Sequence, residues 1–177
     1  MKRVLIIVGS VIGVLVVALV GYLMYSSTKS PKAKAEFNQN GLAVTVDYCQ
    51  PSKKGRKIFG ELLPFGKVWR TGANAATVIE FNKAVTVGGR PVPAGKYSVW
   101  TIPSADLAWT LILNKETGQW GTMYDEKEDF ARIPVSARIF PAPLIEQFNI
   151  EFAPQPGGAN MVMGWDNMEV DVPIRVQ

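Results

Sequence analysis

Residues 51–77 read PSKKGRKIFGELLPFGKVWRTGANAAT. Within them Arg56 and Arg70 supply fixed, planar cations, Asn74 a mixed donor and acceptor, and Trp69 an aromatic face. A later segment, Tyr97 to Trp109, adds Tyr97, Trp100 and Trp109 as further stacking faces. Guanidinium groups bind carboxylates and phosphates through paired N–H bonds, so this set points to an anionic or sugar-like ligand. The plainer assignment of the same residues pairs the arginines with Asp47, Glu61 or Glu80 and places the aromatics in a core. Gly55-Arg-Lys-Ile-Phe-Gly60 has the glycine spacing of a phosphate loop, but Glu61-Leu62 stands where Lys and Ser/Thr are required, which excludes that motif.

The elements that carry these side chains follow from the glycines. Gly55, Gly60, Gly66 and Gly72 predict a long connection that bends repeatedly, and the interleaved Ile58, Phe59, Leu62, Leu63, Phe65 and Val68 argue that it is ordered. After Leu42 the chain alternates with period two. Leu42, Val44, Val46 and Tyr48 share a face, as do Phe148, Ile150 and Phe152, then Met161, Met163 and Trp165, and finally Met168, Val170, Val172, Ile174 and Val176. Further strands are expected at Thr77–Phe81, Val85–Val87, Tyr97–Ile102, Trp109–Asn114 and Ile133–Phe140, with Gly88-Gly89 as a tight hairpin turn. Pro173 falls on the outward face, which predicts an edge or a bulge there. One helical turn each is expected in Met123–Phe130 and Pro143–Gln147. About nine short strands without a long amphipathic helix describe an all-β domain, an antiparallel β-sandwich of jelly-roll-like or barrel-like form.

Composition removes several chemistries. The chain has no histidine, so Ser-His-Asp and Cys-His catalysis and histidine-ligated zinc are excluded. Its one cysteine, Cys49, excludes an internal disulfide and a cysteine metal cluster, and reads as a small, semi-buried residue. The acidic group Asp125, Glu126, Glu128 and Asp129 lacks the spacing of a calcium loop and reads as a solvated turn. No metal and no cofactor is expected. Charge is uneven: residues 26–71 hold nine cations and three anions, residues 106–177 five and eleven. The basic half can attract anions, but the net charge of the body is too small for nucleic-acid binding.

At the N-terminus, Met1-Lys2-Arg3 precedes an uncharged run from Val4 to Thr28, whose apolar part, Val4 to Tyr25, is 22 residues long. About 20 apolar residues span a bilayer core, and YSSTKS offers no cleavage signal, so the expectation is an uncleaved transmembrane anchor at 1–28. Gly9-x-x-x-Gly13 within it would permit a weak homodimer. A polar linker is expected at 29–40 and one extracytoplasmic domain at 41–177.

The blocks PSKKGRKIFG, PFGKVWRTGANAAT, PAGKYSVWTIP, AWTLILNK and QWGTMYD, in this order, closely resemble the uncharacterised bacterial family known as domain of unknown function 2911. The resemblance covers about residues 42 to 176. It implies a secreted or envelope-associated β-sandwich with no assigned activity, and with the anchor it implies a single-pass protein of the bacterial inner membrane whose body faces the periplasm or cell exterior. Arg56, Trp69, Arg70, Asn74, Tyr97 and Thr101 match the family pattern. Cys49-Gln50 stands where the family has Ser-Arg, and Ala75 where it has glutamate, which weakens any hydrolytic reading. The leading expectation is therefore a ligand-binding domain. The alternatives are a carboxylate hydrolase, with Asp47 and Glu61 as its example pair, and a structural module of the envelope.

Overall fold

The computed structural model describes residues 11–21 and 29–177. Residues 11–21 form a helix, and among the described residues no helix is long and apolar enough to cross a membrane. The expected membrane segment Val4–Tyr25 extends beyond the described residues at both ends, and Gly9 of the glycine pair also lies outside them.

The body is built from β1 (Lys32–Gln39), β2 (Leu42–Cys49), β3 (Thr77–Phe81), β4 (Val85–Val87), β5 (Arg90–Val92), β6 (Gly95–Ile102), β7 (Ala108–Asn114), β8 (Asp129–Ile139), β9 (Ile145–Gln155), β10 (Gly158–Asp166) and β11 (Met168–Val176). All pairings are antiparallel and run β1-β2-β3-β6-β7-β8-β11-β10-β9, with β4 joined to β11 and β5 to β4. The long β8 carries the turn of the sheet: its residues up to Ser136 pair with β7, and Ala137–Ile139 pair with β11.

The two ends of this order come together, so the sheet is nearly closed, like a barrel. Phe37 of β1 lies 6.1 Å from Phe152 of β9. The Tyr48 hydroxyl accepts a hydrogen bond from the Ile150 N–H at 3.0 Å and donates to the Ile150 carbonyl at 3.4 Å. Just beyond β2, Lys53 N–H donates to the Glu146 carbonyl at 2.7 Å and Phe148 N–H to the Pro51 carbonyl at 3.0 Å.

The inward faces follow the period-two pattern: Leu42, Val44, Val46, Phe148, Ile150, Met161, Val170, Val172 and Ile174 form one buried core. Gly88 and Gly89 turn the β4–β5 hairpin with φ of 54° and 82°, a left-handed pair that this turn requires. Pro173 sits where β11 exchanges one neighbour for another, β8 up to Val170 and β4 from Ile174, and its carbonyl accepts from Gly88 on that side. The proline nitrogen, which cannot donate, thus falls in the gap between two ladders.

Two local expectations are corrected. Residues 29–40 are not a polar linker throughout, because β1 occupies Lys32–Gln39 and pairs along its whole length with β2 through a turn at Asn40-Gly41. Pro143–Gln147 holds no helical turn: β9 begins at Ile145, where the chain is recruited to β10. The turn expected near Met123–Phe130 is present as a 3-10 turn at Glu126–Glu128, with the Asp125 side chain accepting from Lys127 N–H at 2.9 Å.

Candidate functional site

Residues 50–76 cross one end of the barrel without forming a strand, and Ile58 and Phe59 anchor this stretch in the core. Gly55, Gly60 and Gly66 all have positive φ, as the repeated bends require. The stretch is pinned to β6 by a reciprocal backbone pair, Trp69 N–H to Thr101 carbonyl and Thr101 N–H to Trp69 carbonyl, both 2.8 Å. Below it, Thr71 and Thr101 hydroxyls lie 3.2 Å apart, and the Thr77 hydroxyl donates to the Thr71 carbonyl at 2.7 Å. Thr71 is held at φ 52° and Asn74 at φ 61°. For a β-branched residue such as Thr71 this conformation is strained, and it persists because the surrounding hydrogen bonds over-determine it.

The loop walls a cleft of about 500 Å³. Four cations line it, Lys29, Lys54, Arg56 and Arg70, together with Ser30, Ser52, Asn74, Leu62, Leu63, Trp69 and Trp165, and no aspartate or glutamate does. Arg56 is fixed by donating to the Lys53 carbonyl at 2.9 Å and the Ser52 carbonyl at 2.6 Å, which orients its guanidinium without neutralising it. Asn74 donates to the Ser30 carbonyl at 3.4 Å.

Arg70 is the centre of the arrangement. It is half-buried, has no carboxylate partner among the described ion pairs, and its Nε is buried with no hydrogen-bond acceptor. Burial pushes its pKa below the ordinary arginine value, and Cys49 nearby pulls in the opposite direction. A guanidinium does not lose its proton in proteins, so a buried, unpaired one favours any anion that reaches it. The neighbouring Lys53 is different: it forms an ion pair with Asp166, and both side chains are largely buried. The stem of Arg70 rests on Gly121, where an added Cβ would run into the Arg70 Cδ and come within 2.6 Å of the Asn74 carbonyl oxygen.

Of the six residues singled out from sequence, Arg56, Trp69, Arg70 and Asn74 line this cleft. Tyr97 does not: it packs against Phe130 at 5.3 Å and its hydroxyl donates to the Pro93 carbonyl at 3.2 Å. Thr101 is 0% exposed and acts beneath the cleft, as the partner of Trp69 and Thr71. The other expected stacking faces are core residues. Trp100 is covered by Tyr124 at 4.9 Å, and Trp109 packs on Phe59 at 5.1 Å. Conversely, Trp165 reaches the cleft, stacked on Trp69 at 5.8 Å and 22°. Its place at the end of β10 was visible in the alternation, but the strand pairing that brings β10 under the loop was not.

The carboxylates named as a hydrolytic pair are elsewhere. Glu61 pairs with Lys57 at 3.3 Å in solvent, and Asp47 faces outward from β2. Asp47, Cys49 and Ala75 instead line a separate hollow of about 290 Å³. Two of the positions at which the chain departs from the resemblance are thereby neighbours. Among the described residues no three metal-ligating side chains converge. The cleft offers hydrogen-bond donors and positive charge, an arrangement that can hold an anion.

No curated protein and no solved structure matches the chain. The model of the family described as protein of unknown function (DUF2911) matches residues 30–174, from just before β1 to within β11, and the chain belongs to that family.

Proposed function

We propose that this protein is a membrane-tethered, extracytoplasmic β-domain that binds an anionic ligand in the cleft at Arg56, Arg70 and Asn74. One observation carries the reading: Arg70 is half-buried without a counter-charge, in a cleft that Arg56 and Lys54 also line and that no carboxylate among the described residues lines. A structural brace would place the guanidinium against an acid, as Lys53 is placed against Asp166. A sugar hydrolase would need two carboxylates facing its substrate, and none lines the cleft. The tether and the location rest on the uncharged run from Val4 to Thr28.

Binding is tested by thermal denaturation of the full-length chain with inorganic phosphate, acidic sugars and nucleotides, because a ligand selective for the folded state raises the melting temperature with concentration. At least one anion class is expected to do so in the wild type, with the effect lost in Arg70→Gln. Equal shifts in wild type and variant would remove the cleft from the function. For location, a reporter fused after Gln177 is expected to be active outside the cytoplasm only, and the full-length chain to stay with membranes through a carbonate wash.

A further inference from the structure

Arg70 borders two concavities at once. On one side lies the cationic cleft; on the other is a groove of about 190 Å³ lined by Pro64, Lys67, Val68 and Gly121, with Leu62, Leu63, Trp69 and Arg70 common to both. The groove is open, with Leu62 41% exposed and Val68 38% exposed beside the basic Lys67. Beyond Gly121 the same rim continues into Trp120 and Met123, both exposed. Solvated loops seldom gather this much apolar surface around a buried charge unless something covers it.

The chemistry narrows the occupant. Within the cleft the rings of Trp69 and Trp165 stack on each other and are nearly covered, so a nucleobase finds no open aromatic face there. A neutral sugar would leave the half-buried Arg70 without a counter-charge. An anion attached to a hydrocarbon chain uses both halves. Its charged head satisfies Arg70 and Arg56, and its chain covers Leu62, Leu63 and Val68.

We propose that the ligand is a phosphate-headed lipid, with the phosphate in the cleft between Arg56 and Arg70 and an acyl chain along the Leu62–Val68 groove. This rests on the anion-binding reading above and adds the groove to it. The glycine at position 121 belongs to the arrangement, since any side chain there would displace the Arg70 stem that joins the two halves.

The test uses the full-length chain in a neutral maltoside detergent, with native mass spectrometry to count bound molecules. Three probes are titrated: glycerol 3-phosphate, dihexanoyl phosphatidate and dihexanoyl phosphatidylcholine. Phosphatidate is expected to bind at least about tenfold tighter than glycerol 3-phosphate, because several methylenes leave water. It is also expected to bind about tenfold tighter than phosphatidylcholine, whose headgroup carries its own cation. Val68→Ser, at a position that lines the groove and not the cleft, should shrink the first difference to about threefold while leaving glycerol 3-phosphate binding unchanged, and Arg70→Gln should weaken both phosphate probes. Val68 is exposed, so this variant is expected to melt where the wild type does. Equal affinity for phosphatidate and glycerol 3-phosphate would overturn the lipid assignment and leave the anion site standing. Equal affinity for the two lipids would overturn it as well, showing adsorption to the apolar rim alone. Failure of every probe to bind would overturn the lipid assignment, and the anion reading would then stand or fall on the acidic sugars.

Discussion

Arg70 carries a charge that burial disfavours, and among the described residues no carboxylate pairs with it. Arg70→Lys therefore removes no ion pair, and the unliganded melting temperature is expected to move by no more than about 2 °C in differential scanning calorimetry. Phosphate binding, measured by titration calorimetry, should weaken about tenfold or more, because lysine cannot reproduce the paired donors of the guanidinium. A fall of several degrees without ligand would mean that Arg70 is a brace. Tyr124 sets a different limit. Burial, reinforced by the hydrogen bond it donates to Asp129 at 2.7 Å, pushes its pKa up to about 12 from 10.0. The folded state thus keeps a proton that the unfolded chain gives up at lower pH, so this contribution to stability is complete below pH 10.0 and is lost as pH rises through about 12. Melting temperature followed across that window should fall less steeply in Tyr124→Phe, and the ultraviolet titration of the variant should lack one phenol that the wild type ionises near the upper end.

At the level of elements, β1 matters more than its composition announces. Phe37 and Ala35 are buried inward positions, and Lys32, Lys34 and Glu36 face out. A chain of residues 30–177 is expected to fold with a β-type circular dichroism spectrum. A chain of residues 41–177 should be largely unfolded or aggregated: losing one core phenylalanine costs about 3–5 kcal/mol, and β2 would become an unpaired edge. Equal melting temperatures for the two would show that β1 is dispensable. The turn that carries Gly121 makes a second element-scale case. Gly121→Ala should leave the strands intact, cost about 1–3 kcal/mol of stability in urea denaturation from overpacking, and weaken phosphate binding because the Arg70 stem must move. Unchanged binding would mean that the guanidinium reaches the anion from another direction.

For the molecule as a whole, closure of the sheet depends on a small number of contacts between its first and last strands in the pairing order. Tyr48 is foremost, since its hydroxyl satisfies both the N–H and the carbonyl of Ile150 in a buried setting. Tyr48→Phe is expected to cost about 1–3 kcal/mol, read from urea denaturation, because those backbone groups lose their partner where water cannot replace it. A neutral substitution would place the closure in the backbone pairs at Pro51, Lys53, Glu146 and Phe148 instead. The uneven charge of the sequence is also resolved at this scale. Part of the basic half is absorbed within the domain, by Lys34 against Glu36, Lys53 against Asp166 and Lys57 against Glu61, while Lys54, Arg56 and Arg70 line the cleft.

Strand positions such as Thr77–Phe81, Val85–Val87 and Met168–Val176 were readable because alternation of Val, Ile, Phe and Met with polar residues is a local property of the pleat. The bending loop was readable for the same reason, since glycine spacing needs no distant partner. The strand at Lys32–Gln39 escaped because its inward residues are mostly alanine, too weakly apolar to stand out among lysines, and it exists because β2 pairs with it along its whole length. The site was half legible. Arg56, Trp69, Arg70 and Asn74 are close together in sequence as well as in space, so their types and spacing sufficed. Tyr97, Trp100, Trp109 and Thr101 looked equivalent as a list, but strand pairing turns the aromatics into the core and sets Thr101 beneath the loop, while bringing Trp165 and Gly121 to Arg70 from distant parts of the chain. Which polar and aromatic groups face a cavity depends on long-range register, and no local pattern encodes it.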